Sequence, residues 1–211
     1  MNSIALFTAA TDSFNQNNVG MTVREQLDGF RELMPSARQN GLRVRAYVST
    51  ALHCPFDGPV SPDRASHVVE VLLEIGVDEI SVGDTIGHAV PIEVAKLTEA
   101  LLPILPIDKF AYHFHDTHGT ALANVMMALQ FGVAIYDSSA GGLGGCPFAP
   151  GAAGNLATED LLGMLHGMNI ETGVDVRKVM DASLYMEAVL GRYFISKYLI
   201  SEGGSGSEVD E

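Results

Sequence analysis

Two histidines on one face of a predicted strand are the residues whose types and spacing most directly suggest chemistry. His113 and His115 are separated only by Phe114 in the run KFAYHFHDT. Because alternate side chains of a strand point the same way, both imidazoles project together while Phe114 faces the other side. Imidazole is a common ligand of divalent metals, so the pair predicts a metal site at the strand end. Two hydrogen-bonded histidines without a metal are the alternative.

A long glycine-rich loop, AGGLGGCPFAPGAAGN, follows the next predicted strand and spans 140–155. It contains no lysine of the kind that binds phosphate in a P-loop, which argues against a phosphate cradle. We interpret it as a mobile active-site lid, with a flexible linker as the alternative. Cys146 in this loop could act as an acid or base, and Asn155 could give an oxygen to a metal.

Asp84 is another polar residue at a predicted strand end, in the run GDTIG. Polar residues at the strand ends of β/α barrels face the active site, so we predict an active-site role for Asp84. A helix N-cap, or a hydrogen-bond partner of a metal-binding histidine, is the alternative. Cys54, in the run LHCPFDG, is predicted to be a packed structural residue, and His53 a loop residue rather than a ligand.

The elements that must position these residues form a repeating unit, in which a helix ends near a glycine and a short β-rich run follows. The predicted strands span 4–10, 42–50, 77–85, 109–117 and 133–139. A capping box, Thr22-Val-Arg-Glu25, begins one helix, and Ser61-Pro62 begins another. Further helices are predicted over 91–102, 119–131, 157–167 and 174–190.

Strands that alternate with helices predict a parallel α/β fold. Polar residues at each strand end favour a (β/α)8 TIM barrel, which typically needs about 250 residues and eight strands. We therefore expect a barrel truncated to about five β/α units, strands 4–8, in a domain over 1–200. A smaller doubly wound sheet is the alternative. The tail, 201–211, is expected to be disordered.

Composition excludes several classes of partner. A net charge of −14 argues against nucleic acid, because phosphate binding needs clustered Lys and Arg. No apolar run is long enough to span a bilayer, and no basic-then-apolar leader begins the chain, so no membrane partner is expected. We expect a cytoplasmic protein, or one of the mitochondrial matrix if a eukaryotic transit peptide has been removed. Two cysteines in a reducing compartment predict no structural disulfide.

Taken together, the runs GDTIG, HFHDTHG, GLGGCPFAPGAAGN and LATED resemble the 3-hydroxy-3-methylglutaryl-CoA lyase family, from about residue 4 to about residue 190. Synthases that condense acetyl-CoA with 2-oxo acids share the HxH and the barrel but do not usually show the GLGGCP loop. The resemblance implies Mg²⁺ or Mn²⁺ held by His113, His115 and Asn155, with Cys146 as catalytic acid and Asp84 lining the site. The implied reaction cleaves an acyl-CoA, hydroxymethylglutaryl-CoA, to acetyl-CoA and acetoacetate, as in leucine degradation and ketone-body formation.

One feature of that family has no match here. Its first strand carries an Arg-Asp pair, in which the aspartate is a further metal ligand and the arginine stabilises the enolate. We therefore expect this chain by itself to be poorly active and prone to associate, with a homodimer as one outcome. The alternatives are a related acyl-CoA aldolase or synthase, and a non-catalytic fragment that acts as a binding or subunit module.

Overall fold

A five-stranded parallel sheet forms the centre of the molecule. The computed structural model describes residues 2–145, 148 and 154–203. In chain order the strands are β1 (Ser3–Ala9), β2 (Arg43–Ser49), β3 (His53–Cys54), β4 (Gly58–Pro59), β5 (Glu79–Asp84), β6 (Phe110–Phe114) and β7 (Ile135–Asp137). The order across the sheet is β1-β2-β5-β6-β7, all parallel, while β3 and β4 form a small antiparallel ribbon. All five predicted strands are confirmed.

Helices connect the strands and cover one side of the sheet. They are α1 (Asp12–Val19), α2 (Val23–Gln39), α3 (Pro62–Ile75), α4 (Pro91–Leu101), α5 (Ala121–Gln130), α6 (Thr158–Gly167), α7 (Val176–Leu190) and α8 (Lys197–Glu202), with short 3₁₀ turns at Ile107–Lys109 and Ala140–Gly142. Each predicted helix is present within a few residues of its expected bounds. None of the helices in the described ranges is both long and apolar enough to cross a bilayer.

Local sequence accounts for several of the helix ends. Glu25 N donates to Thr22 Oγ1 at 3.2 Å and Thr22 N donates to Glu25 Oε2 at 2.9 Å, so the predicted capping box begins α2. Gly76 ends α3 in the left-handed conformation, with φ of 92°, which glycine adopts without steric cost.

Two helices, α1 and α8, were not predicted from the sequence. The segment that forms α1, DSFNQNNV, is mostly polar, and only Phe14 and Asn15 of it are buried, so it has no apolar stripe to reveal it. The short helix α8 extends two residues into the predicted tail, 201–211. Residues 204–211 lie outside the part of the chain that the structure describes.

The two faces of the sheet have different compositions. On β2, Val44, Ala46 and Val48 are fully buried in the apolar core that the sheet shares with the helices. The residues between them, such as Arg45 and Tyr47, point to the opposite, inner face. This alternation is the period of two that a strand imposes, and by the strand register it places Arg45, Glu79, Ser81, His113 and Asp137 on the inner face.

The inner face carries a network of charges. Arg45 forms ion pairs with Asp137 at 2.7 Å and with Glu79 at 2.6 Å, and so joins β2 to β7 and β5. At the outer strand, Phe7 of β1 is 53% exposed and stacks on Tyr47, with ring centroids 4.9 Å apart. Within the described residues, β1 and β7 each pair with one strand only.

Candidate metal and active site

A cavity of about 470 Å³ opens at the carboxyl ends of the parallel strands, on the inner face of the sheet. The polar residues that line it come from four strands and the segments that follow them, and include Ser49, Ser81, His113, His115 and Asp137. Several strand ends therefore meet in one cavity, which is the arrangement that places active sites in β/α barrels.

The two histidines of the HxH run lie side by side in this cavity, with ring centroids 5.2 Å apart. The Nδ1 atoms of both rings are buried and have no hydrogen-bond partner among the described residues. Burial, and then the neighbouring His113, lower the pKa of His115 to about 4. His115 is therefore neutral at physiological pH, which is the form of imidazole that binds metals.

Asn155 meets the histidines from the far end of the glycine-rich loop. It forms an antiparallel bridge with His115, and Leu156 N donates to Phe114 O at 3.0 Å, so this segment runs along the end of β6. Asn155 Nδ2 donates to Leu143 O at 2.7 Å, which leaves the amide oxygen as its ligating atom. The structure thus brings together the three residues predicted as metal ligands.

The donor set fits a hard divalent ion that is held by few protein ligands. Among the described residues no group of three His, Cys, Asp or Glu side chains could hold a metal, so two imidazoles and one amide oxygen are what this segment offers. Mg²⁺ and Mn²⁺ accept oxygen ligands and keep several coordination positions for water or substrate. The unpaired buried Nδ1 of His115 favours such an ion, since buried polar atoms are normally bonded.

The predicted catalytic acid, Cys146, lies outside the described residues, so its role stays a prediction. Within the same loop, Phe148 is described and lines the cavity. Its ring packs against Phe14 of α1, at a centroid distance of 5.5 Å, and against Phe56 of the β3–β4 ribbon, at 5.6 Å. Phe14 and Phe148 therefore line the cavity with aromatic surface, and Phe56 supports them from outside it.

Asp84 is fully buried, and its carboxylate points to the loop after β5 rather than into the cavity. The two carboxylate oxygens accept hydrogen bonds from His88 N at 3.2 Å and Ala89 N at 3.0 Å. Burial raises the pKa of Asp84 to about 6, although these two N–H groups oppose the rise. Asp84 thus binds backbone N–H groups of the loop that precedes α4, and the catalytic role predicted for it stays a prediction.

The burial of Asp84 predicts a distinctive pH dependence for the metal-free chain. The pKa is about 6 in the folded state and near its usual 3.9 in the unfolded state, so the folded state binds more protons between these values. Stability from Asp84 is therefore greatest below pH 4, and about 3 kcal/mol of it is lost as the pH rises through 6. Urea unfolding in chelator should show this decline in the wild type and not in Asp84→Asn. The control variant Asp108→Asn, at an exposed site, should show the same decline as the wild type. If Asp84→Asn also showed the decline, Asp84 would not be its source.

A second group of histidines lies outside the cavity. His88 and His118, both exposed, stack with ring centroids 4.0 Å apart, and His53 Nε2 lies 3.0 Å from Glu93 Oε1. His53 thus sits in the β3–β4 ribbon with a carboxylate partner. Cys54, predicted to be structural, is buried and accepts a hydrogen bond from Thr11 Oγ1 at 3.3 Å.

Two carboxylates that support the site were not assigned to it from the sequence. Asp137 pairs with Arg45 across the inner face, as described above. Glu159, at the start of α6, is fully buried and accepts hydrogen bonds from Gly141 N, at 2.9 and 3.1 Å, and from Ser183 Oγ. It therefore fixes the first turn of the glycine-rich loop to α6 and α7. Glu159 belongs to the run LATED, one of the runs that carry the family resemblance, and this was the sequence feature that could have indicated its role.

Known proteins resemble this chain over most of its length. The HMGL-like family model matches residues 1–185. The chain is 45% identical over 196 residues to the cytoplasmic 3-hydroxy-3-methylglutaryl-CoA lyase of Danio rerio, a match that covers 93% of this chain and 58% of that protein. It is 47% identical over 188 residues to the hydroxymethylglutaryl-CoA lyase of Pseudomonas mevalonii, covering 89% of this chain and 62% of that protein.

A solved structure extends the likeness to the fold. The hydroxymethylglutaryl-CoA lyase of Pseudomonas aeruginosa superimposes with a TM-score of 0.94 at 41% identity, covering 98% of this chain and 69% of that one. This confirms the predicted barrel-type β/α fold, here with five parallel strands. The chain spans about three fifths of the length of these two curated relatives. With its family model matching most of its length, the chain belongs to the HMGL-like family.

Proposed function

We propose that this chain carries part of the active site of a carbon–carbon lyase that cleaves hydroxymethylglutaryl-CoA to acetyl-CoA and acetoacetate. The observation that supports this most directly is the meeting of His113, His115 and Asn155 at one end of the sheet. The names of the curated relatives give the substrate and the lyase class, and the family resemblance implies the products. A related structure from Acinetobacter baumannii, described there as a complex with coenzyme A and 3-methylmalate, supports an acyl-CoA substrate.

Each residue has a distinct task in this proposal. His113, His115 and Asn155 would hold Mg²⁺ or Mn²⁺, which when bound supplies a Lewis acid that lowers the pKa of the substrate hydroxyl. His115 stays neutral because it is buried, so its ring nitrogen needs no deprotonation to act as a ligand. Cys146 would protonate the carbon of the departing thioester enolate. Phe14 and Phe148 would keep water from that carbon.

The 211-residue chain by itself is proposed to be a weak enzyme. The resemblance implies a fourth protein ligand and an enolate-stabilising arginine that no residue of this chain matches. Loss of one such charge-stabilising group costs on the order of 10²–10³ in rate. In the described residues the edge strands β1 and β7 each pair with one neighbour only, which favours association through these edges. We therefore expect dimers or larger species.

Product analysis tests the proposal. We would incubate the chain with hydroxymethylglutaryl-CoA and Mg²⁺ and quantify acetyl-CoA and acetoacetate by mass spectrometry. One sample contains the chain alone, and a second adds the N-terminal β/α units of the Pseudomonas mevalonii lyase as a separate polypeptide. We expect little product from the first and chelator-sensitive product from the second. No product in either sample would contradict the lyase function, whereas rapid turnover by the chain alone would contradict the weak activity proposed for it.

A second candidate is a lyase for substrates with a longer 3-substituent. It is favoured by 44% identity to a Pseudomonas aeruginosa protein named for both 3-hydroxy-3-isohexenylglutaryl-CoA and hydroxymethylglutaryl-CoA. The aromatic wall of the cavity could accommodate an alkenyl chain. Running the same assay with both substrates would distinguish the two candidates. The compartment stays a prediction, because the relatives include cytoplasmic and mitochondrial proteins.

A further inference from the structure

Asp137 faces the metal-site histidine from the neighbouring strand. It is paired in register with His113 in the parallel β6–β7 ladder, and its Oδ2 lies 3.7 Å from His113 Nδ1. We propose that Asp137 is a positioning residue that holds neutral His113 in the tautomer with its proton on Nδ1. Nε2 then carries the lone pair that binds the metal. The metal-binding part of this inference rests on the function proposed above.

The carboxylate of Asp137 is held firmly in place. Arg45 Nη1 donates to Oδ1 at 2.7 Å and Arg45 Nη2 donates to Oδ2 at 3.1 Å. Ser81 Oγ donates to Oδ2 at 2.8 Å. A bidentate guanidinium and a hydroxyl keep the group ionised and fix its plane, so it has no freedom to turn away from His113.

The charge of Asp137 decides which nitrogen of His113 carries the proton. An ionised carboxylate offers only lone pairs, so it repels a bare Nδ1 and attracts an Nδ1–H. The separation of 3.7 Å is longer than a hydrogen bond, but at this distance the carboxylate charge still acts on the ring nitrogen. Carboxylates behind metal-binding histidines commonly fix the tautomer in this way. His115 is the internal reference, because no acidic side chain of the described residues forms an ion pair with it.

The tautomer can be read without any metal. We would label the histidines with ¹⁵N and record long-range ¹H–¹⁵N spectra of the metal-free wild type above the histidine titration range, assigning His113 from the signals lost in His113→Gln. We expect a protonated Nδ1 and a bare Nε2 on His113. A bare Nδ1 in the folded wild type would overturn the inference, and this readout requires no variant at Asp137.

The variant Asp137→Asn tests the link to metal binding. Its amide oxygen would remain with Arg45, so its N–H₂ group would face His113 and favour a bare Nδ1. We expect the tautomer to switch and the Mn²⁺ affinity to fall about 10–100-fold. Asp78→Asn is the matched control, because it also removes a bidentate arginine pair, with Arg38 at 2.8 and 3.0 Å, but does not touch His113.

The outcomes separate this inference from the proposed function. An equal loss of Mn²⁺ affinity in Asp137→Asn and Asp78→Asn would overturn the positioning role, since it would reflect general destabilisation. If Nδ1 of His113 is protonated but the wild type does not bind Mn²⁺, the proposed metal function is wrong. The role of Asp137 in presenting Nε2 to a metal is then also wrong, and only its effect on the tautomer of His113 remains. If Asp137→Asn does not fold, Ser81→Ala removes one support of the carboxylate and should lower Mn²⁺ affinity in the same direction.

Discussion

Replacing His115 with alanine is expected to abolish detectable binding of Mn²⁺ to the metal site. His115 is neutral, buried and adjacent to both His113 and Asn155, so its removal leaves one imidazole and one amide oxygen. Losing an outer partner of a ligand costs about 10–100-fold in affinity, and losing the ligand itself costs more. Isothermal titration calorimetry of wild type and variant measures the difference directly.

The control for this experiment is His67→Ala. His67 is exposed on α3 and far along the chain from every residue of the site, so its loss should leave Mn²⁺ binding unchanged. Equal Mn²⁺ affinities for wild type and His115→Ala would show that the metal binds elsewhere or not at all. That result would favour a non-catalytic module over a lyase. Far-UV circular dichroism would establish that the variant keeps its helices.

Gly87→Ala is expected to destabilise the fold and to distort the metal site at the same time. Gly87 has φ of 65°, a left-handed conformation that costs other residues about 1–2 kcal/mol. A methyl group there would stand 2.6 Å from Thr117 N and 2.9 Å from His115 O. Both atoms belong to the backbone of the metal-ligand segment and have little room to move. We expect a loss of about 3 kcal/mol in unfolding free energy and weaker Mn²⁺ binding.

Gly58→Ala separates the two causes. Gly58 also has positive φ, 75°, but no atom lies within 4 Å of the position that its Cβ would take. It should therefore show only the conformational cost, about 1 kcal/mol, and normal Mn²⁺ affinity. Urea unfolding of both variants provides the comparison. If Gly87→Ala lost no more unfolding free energy and no more Mn²⁺ affinity than Gly58→Ala, the close approach of the loops after β5 and β6 would not constrain the site.

The parts of the structure that the sequence predicts are those governed by local periodicity. The alternation around Phe114 is sufficient to place His113 and His115 on one face, and the Thr22–Glu25 box locates the start of α2. The loop alone suggests Asn155 as a possible oxygen donor, but only the resemblance to the family placed it with His113 and His115. Nothing local says that a residue beyond a long glycine-rich loop returns to the end of β6.

The parts that were missed depend on where distant segments meet. Asp84 stands at a strand end as predicted, but its partners are the N–H groups of His88 and Ala89, and only the path of the loop determines that. Arg45 and Asp137 are separated by 92 positions, and their pairing follows from the order of the strands rather than from either sequence run. Long-range polar contacts of this kind need the topology before they can be assigned.

Paramagnetic broadening by Mn²⁺ tests the central claim most directly. Substoichiometric Mn²⁺ would be added to chain labelled with ¹⁵N at histidine and asparagine side chains, and the losses of signal would be mapped. We predict that the signals of His113, His115 and Asn155 vanish first, while those of the outer group, His53, His88 and His118, persist. Broadening centred on that outer group, with His113 and His115 unaffected, would contradict a metal site at the end of β6.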